Sequence, residues 1–373
     1  MVNYKLNENS SLFLDLLRAF TAQLVVIGHG ISYFSVFTFF QPPASPYIQN
    51  IAVLIFFILS GFLISYSVSN NIQKDPAYSF RSFFIDRFSR IYSAYLPAII
   101  VIAAIDLISI CLSDHSYTYY NAYNFKTVLG NLFMLQDFPI FSISKKLNIN
   151  FIEPITSFGS ARPFWTLAIE WWIYLWVGYF VFKIIKKEKI SLLNILLLSF
   201  LSIVPVFNLI SGRGNGLTVY WLFGAIVYYL SGRFQNYAIQ KCIRWGLVVF
   251  LLFTATIRVL LTMKEYEPIL AFLLAIALLI SISLAYDTEG LKKYSKIIRF
   301  TANYSFTLYL IHYSILDLLS SNYKGTANPY LLFCIGFLIS NIIAAVLGYY
   351  TEIKLTKLVK SKLKNYYSTP QLP

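Results

Sequence analysis

The chain has 373 residues, 58% hydrophobic, 18% aromatic and only 12% charged, with a formal net charge of +14. A soluble domain has roughly 25% charged residues, so this composition excludes an ordinary globular protein and describes a polytopic membrane protein. Three cysteines, Cys111, Cys242 and Cys334, cannot make a disulfide framework.

The first ten residues, MVNYKLNENS, precede an apolar run that Asp15 and Arg18 interrupt, so a cleaved signal peptide is not expected and this run stays as the first helix. Apolar runs near the roughly 20 residues needed to cross a bilayer core occur at 12–33, 47–70, 91–112, 165–186, 190–210, 217–231, 243–262, 266–286, 300–320 and 328–350. The expectation is an all-α membrane protein of about ten transmembrane helices, with 217–231 short enough to be tilted or partly re-entrant. Placing both termini in the cytoplasm puts 21 of the 30 basic residues and seven of the 16 acidic ones on that side. The whole net charge then lies on one face, as the positive-inside rule requires. The basic balance thus reports topology, and nucleic acid is not expected as a partner.

Between the third and fourth spans, 113–164 is polar, rich in Tyr and Asn, and placed outside, where it can cover a site. The domain organisation expected is a ten-helix domain over 1–353 and a basic cytoplasmic tail over 354–373, lying on anionic headgroups. No internal repeat, glycine-rich phosphate loop or metal-binding motif is present. Three histidines on separate segments lack ligand spacing, so no metal is expected.

In DLLRAFTAQLVVIGHG (15–30), Arg18 and His29 are eleven residues apart, which at 100° per residue leaves only about 20° between them, over about 16 Å of axis. Asp15 falls within about 60° of the same stripe. Charged groups inside a membrane face partners or water, so this stripe is expected to line a polar interior. Simple i, i+3 pairing of Asp15 with Arg18 is the structural alternative. In SFRSFFIDRFSRIYSAYLP (79–97), Arg81, Arg87 and Arg90 stand at the inner mouth of the third span. Arginine forks suit phosphates, although such a cluster also serves as an ordinary orientation signal.

In RPFWTLAIEWWIYL (162–175), Glu170 lies about five residues inside the outer boundary, at the depth of His29. A carboxylate beside a histidine orients it and raises its basicity, as a general base requires. In SFTLYLIHYSIL (305–316), Ser305, Tyr309 and His312 lie within about 60° of one another. They are candidates for orienting an acceptor or an oxyanion, while a lone histidine on an apolar face is as often hydrogen-bonded within the core.

The pair Arg18 to His29, FFILSGFLI (56–64), FFIDRFSRIYSAYLP (83–97), FWTLAIEWWIY (164–174) and SFTLYLIH (305–312), in that order, resemble the acyltransferase-3 family of membrane O-acyltransferases. The resemblance runs from residue 12 to about 350. It implies a ten-helix catalytic domain moving an acyl group, acetyl in the simplest case, from cytoplasmic acyl-CoA (acetyl-CoA) to hydroxyls of a surface or lipid-linked carbohydrate. It maps the family's Arg, His and Glu onto Arg18, His29 and Glu170. The phosphates of CoA are then expected on Arg87, Arg90 and Arg81, with Arg18 deeper on the donor path. Two departures stand out: Ser93-Ala94-Tyr95 precedes Pro97 in the third motif, and no hydrolase-like domain follows the membrane helices, as in the stand-alone branch. The implied location is the bacterial inner membrane, with the site open to the exoplasmic side and lipids as neighbours. A lipid-linked glycan flippase or polymerase, or a small-solute transporter, is the competing class. Transporters often show repeated halves and broken helices, and neither is found.

Overall fold

The computed structural model describes residues 4–112, 117–141, 153–185, 191–234, 239–288 and 290–368. Parts of the long polar segment (113–116 and 142–152), Lys186, Lys187 and Lys189, and the end of the tail (369–373) lie outside the described residues. Among the described residues the elements are helices: α1 (Glu8–Phe34), α2 (Ile48–Lys74), α3 (Phe80–Leu112), α4 (Phe125–Leu132), α5 (Phe164–Tyr179), α6 (Leu192–Ile210), α7 (Leu217–Phe234), α8 (Lys241–Thr262), α9 (Pro268–Tyr286), α10 (Ser295–Asn303), α11 (Ser305–Tyr323), α12 (Pro329–Gly348) and α13 (Thr356–Ser368). Among the described residues, eight helical segments are long and apolar enough to cross a membrane, so the protein is an all-α polytopic membrane protein. The two other expected spans form helices α7 and α11, but both are less apolar. In α11 the reason is visible: Thr307, His312, Ser314 and Asp317 are buried within the protein, where polar groups find partners that lipid does not offer.

Three boundaries differ from the hydropathy reading. Helix α3 begins eleven residues before the expected span, because its first turns (FRSFFIDRFSR) are polar enough to escape a hydropathy reading yet contain no helix breaker. The expected ninth span is split at Tyr304, leaving α10 as a separate amphipathic helix that buries Ile298 and Ala302. The last span continues through a π-helical stretch, Tyr349–Leu355, into α13, so most of the basic tail is helical.

The chain divides into two units. The first comprises residues 1–77 and 214–305. Asn7 caps α1 by accepting the Ser10 N–H at 2.8 Å, and Glu8 in the first turn complements the helix dipole. Helices α2 and α7 approach to backbone contact: a Cβ on Gly61 would lie 1.8 Å from the Trp221 carbonyl oxygen, and one on Gly224 would lie 1.9 Å from that of Ile58. This is the small-residue packing by which membrane helices gain dispersion contacts in the absence of a hydrophobic driving force. The Trp221 indole N–H donates to Ser60 Oγ at 3.1 Å across the same seam.

The second unit comprises residues 78–213 and 306–373. Here the described part of the polar segment is folded, with Asn131 at its centre. Its amide donates to the Thr156 carbonyl at 2.9 Å, and its carbonyl oxygen accepts from Gln136 at 2.7 Å and from the Phe158 N–H at 3.1 Å. The wholly buried Tyr95 of α3 donates to the Asn131 backbone oxygen at 2.9 Å. The tyrosine of the departing Ser93-Ala94-Tyr95 motif therefore anchors this segment.

Candidate active site

In the first unit, α1 is unbroken from Arg18 to His29, which keeps both on one stripe. The Arg18 guanidinium lies 3.1 Å from Asp15 Oδ1 and donates to the Ala302 carbonyl at 3.2 Å. The structural pairing of Asp15 with Arg18 is thus present and holds the guanidinium in place. Ser305 donates to that same Ala302 oxygen at 2.8 Å, so its hydroxyl serves the junction of α10 and α11.

His29 is half-buried between two buried glycines, Gly28 and Gly30. The start of α2 packs against this turn, since a Cβ at Gly28 would fall 2.4 Å from Gln49 Oε1. Gln49 donates to Ser32 Oγ at 3.3 Å, and Ser32 donates to the Gly28 carbonyl at 3.1 Å. Gln49 is a polar neighbour of Gly28 and Ser32 on this turn that nothing in its local sequence marks. A cavity in this unit, lined by Leu17, Ile58, Trp245, Val248 and Leu278 with Ser281 and Thr288, is almost wholly hydrocarbon.

In the second unit, Glu170 is half-buried on α5 and accepts the Tyr174 hydroxyl at 2.5 Å, one turn along the helix. Tyr309 of α11 meets the start of α5: its hydroxyl bonds Thr166 Oγ1 and donates to the Pro163 carbonyl at 3.3 Å. Both Glu170 and Arg213 lie within electrostatic reach of that hydroxyl. Arg213 sits 4.5 Å over the Trp165 ring and 3.7 Å from Asp137. His312 is wholly buried, with Nδ1 3.0 Å from the Leu308 carbonyl. A carbonyl only accepts, so Nδ1 carries the proton and Nε2 is the basic nitrogen.

The three arginines do not form one patch. Arg81 and Arg90 are exposed, and nine residues of helix set them on opposite sides of α3. Arg87 is half-buried, its guanidinium carbon 5.9 Å from the Phe83 ring centroid. Between them Asp86 is buried, accepting from Tyr78 at 3.1 Å and pairing with Lys360 of α13 at 2.9 Å. The tail helix therefore packs on α3 and brings Lys360 and Lys364 to this end, a feature that the lysine spacing alone did not reveal.

Asp106 and Asp317, both buried, belong to a further polar cluster that the motif reading passed over. Its signal was available, because an acid inside an apolar run is by default a functional or tightly bonded group. The candidate residues are divided between the units: Arg18, His29 and Ser305 belong to the first, and Arg81, Arg87, Arg90, Glu170, Tyr309 and His312 to the second.

A family model described as an acyltransferase domain matches residues 11–350. The chain is also similar to the peptidoglycan O-acetyltransferase OatA of Listeria monocytogenes, with 26% identity over 306 residues, which is 72% of this chain and 45% of that protein. The match thus spans less than half of the Listeria protein. No solved structure matches.

Proposed function

The chain belongs to the acyltransferase-3 family, and from that premise we propose that it is a membrane O-acetyltransferase that uses acetyl-CoA from the cytoplasm and a glycan hydroxyl on the outer face. The activity of the Listeria relative on peptidoglycan favours a cell-envelope carbohydrate as acceptor. The observation that carries the reading is the stripe on α1: a held cation, Arg18, and an imidazole, His29, on one face of an intramembrane helix that lies within the family match. Their separation of about 16 Å is comparable with an extended pantetheine arm, which lets a donor enter at one side and react near the other.

His29 removes the proton of the acceptor hydroxyl as its oxygen attacks the thioester carbonyl. The new C–O bond forms, the C–S bond breaks, and the imidazolium returns its proton to the departing CoA thiolate. Glu170 is proposed to stabilise that imidazolium, with Tyr174 holding the carboxylate in place. Tyr309, fixed by Thr166 and Pro163, is proposed to orient the acceptor or the oxyanion. His312, enclosed in the core, supports Tyr309 from its own helix. Arg87 and Arg90 take the CoA phosphates, with Arg81 on the far side of α3, and Arg18 lies deeper on the donor path.

The deciding experiment is transfer of labelled acetyl from acetyl-CoA to envelope glycan in membranes containing this protein. Replacement of His29 by Ala is expected to lower the rate by about 10² to 10⁴ while acyl-CoA still binds. A folded His29→Ala protein that transfers at the wild-type rate would overturn the assignment of the base and direct attention to His312.

A further inference from the structure

The apolar cavity of the first unit has a volume of about 460 Å³, and among its lining residues only Ser281 and Thr288 carry hydroxyls. Thr288 donates its own to the Leu284 carbonyl at 2.8 Å. A buried water needs roughly two to four polar partners, so these walls hold water poorly, while an empty space of this size deprives the whole lining of dispersion contacts. Hydrocarbon is the content that satisfies them. The cavity is also open to the outside of the protein: Trp245 and Leu252 of α8 and Leu16 of α1 line it, and they are 52%, 46% and 39% exposed. In a membrane that exposure is to lipid chains. Along α9 the lining runs from Leu274 to Ala285, about 16 Å of axis, which is the depth of one leaflet in a bilayer core about 30 Å thick.

One end of this groove is basic. On α8, Lys241, Trp245, Val248 and Leu252 fall within about 60° of arc, so an exposed lysine heads the stripe that forms this wall. Beyond α9 the lining continues through Thr288 to Leu291, and the exposed Lys292 and Lys293 follow at once in the 3₁₀ turn Gly290–Tyr294. Arg244 donates to Ser283 Oγ at 2.7 Å and to Asp287 at 2.5 Å, so the start of α8 and the end of α9 meet at the same end of the unit. Across 241–244 and 287–299 the sequence has six basic residues against Asp287 and Glu289. The groove is thus apolar for the depth of one leaflet and ends in hydroxyl and cationic groups, which is the order of parts in an anionic phospholipid read from chain to headgroup.

We propose that this groove holds one acyl chain of an anionic diacyl phospholipid from the surrounding bilayer, with the phosphate at Lys241, Lys292 and Lys293. A zwitterionic lipid offers the same chain without the net charge that these lysines attract. Trp245, exposed beside the basic end, takes the interfacial place that indoles favour. The bound chain braces α1, because Phe13, Leu16 and Leu17 form one wall of the groove. The site stands apart from the proposed transfer and does not depend on it.

The test uses the full chain, delipidated in a nonionic detergent, and phosphatidylglycerol whose acyl chains carry bromine, a short-range quencher of indole fluorescence. The difference between the wild type and W245F separates Trp245 from the other tryptophans. Quenching of Trp245 is expected to saturate at a single site, and phosphatidylcholine with the same brominated chains is expected to bind about tenfold or more weakly. The triple variant K241Q/K292Q/K293Q keeps the groove and should lose that preference. A277F fills the groove from a lining alanine and should abolish the quenching. Added phosphatidylglycerol should also raise Tm in the wild type and not in A277F, since a ligand of the folded state stabilises it. Should A277F fail to fold, the headgroup comparison and the triple variant decide. Equal quenching by the two lipids, an undiminished preference in the triple variant, or quenching that survives in a folded A277F would overturn the proposal. So would displacement of the lipid by palmitoyl-CoA at a lower concentration than by unbrominated phosphatidylglycerol, which would make the groove a donor-tail site, or a dimer that excludes the lipid, which would make it an interface between copies of the chain.

Discussion

Replacing Gly61 by Ala tests the seam of α2 and α7 at the place where it has least room. The new Cβ would start 1.8 Å from the Trp221 carbonyl oxygen, and the reciprocal change at Gly224 would start 1.9 Å from the Ile58 oxygen. Both obstacles are backbone atoms, so no side-chain rotation relieves them. Ordinary contact needs roughly 3.5 Å, so the helices must separate by about 1.5 Å. That shift stretches the 3.1 Å bond from Trp221 to Ser60 beyond hydrogen-bonding range. Overpacking costs about 1–3 kcal/mol and the lost bond about 1, while alanine returns up to about 1 in helix propensity. The net expectation is a destabilisation of about 1–3 kcal/mol for either substitution. The double variant should cost clearly less than the sum, because one separation accommodates both methyl groups. Reversible unfolding in mixed micelles measures all three variants. Single variants as stable as the wild type, or a fully additive pair, would refute the close approach.

In a background without native cysteines, a cysteine near Lys293 should be shielded from an impermeant thiol reagent added outside, and one near Asn121 should react; the reverse pattern would invert the charge-based topology. Changing Arg87 and Arg90 together to Gln should weaken acyl-CoA binding by about tenfold or more and reduce its salt sensitivity, which titration at two ionic strengths would measure. Asp86→Asn removes the charge that pairs with Lys360, so α13 should loosen by about 1 kcal/mol and the tail should be cut faster in limited proteolysis. Glu170→Gln should lower the rate and lower the apparent pKa of the pH profile, since loss of a nearby anion destabilises the imidazolium; an unchanged profile would separate Glu170 from the base.

The membrane class, the all-α fold and the approximate position of each long helix were legible in the chain, because burial in hydrocarbon demands continuous apolar runs and satisfied backbone. The Arg18–His29 stripe was legible for a similar reason: within one helix, sequence spacing fixes angle and rise. Periodicity could not reveal partners that come from other elements. The Ala302 carbonyl that holds Arg18 is 284 residues away, and Gln49, packed against Gly28, stands at the start of a different helix. Helix α11 was legible as the span 300–320, although the buried Thr307, His312, Ser314 and Asp317 make it less apolar than the long lipid-facing helices. Asp106 and Asp317 are 211 positions apart in the chain. Nothing local says that the Tyr117 hydroxyl meets both, because such contacts depend on distances between side chains that only tertiary packing sets. The sequence by itself determined which solvent the chain lives in and which charges enter it. The tertiary structure alone decided which of those charges meet, since long-range hydrogen bonds depend on distance in space and leave no period in the chain.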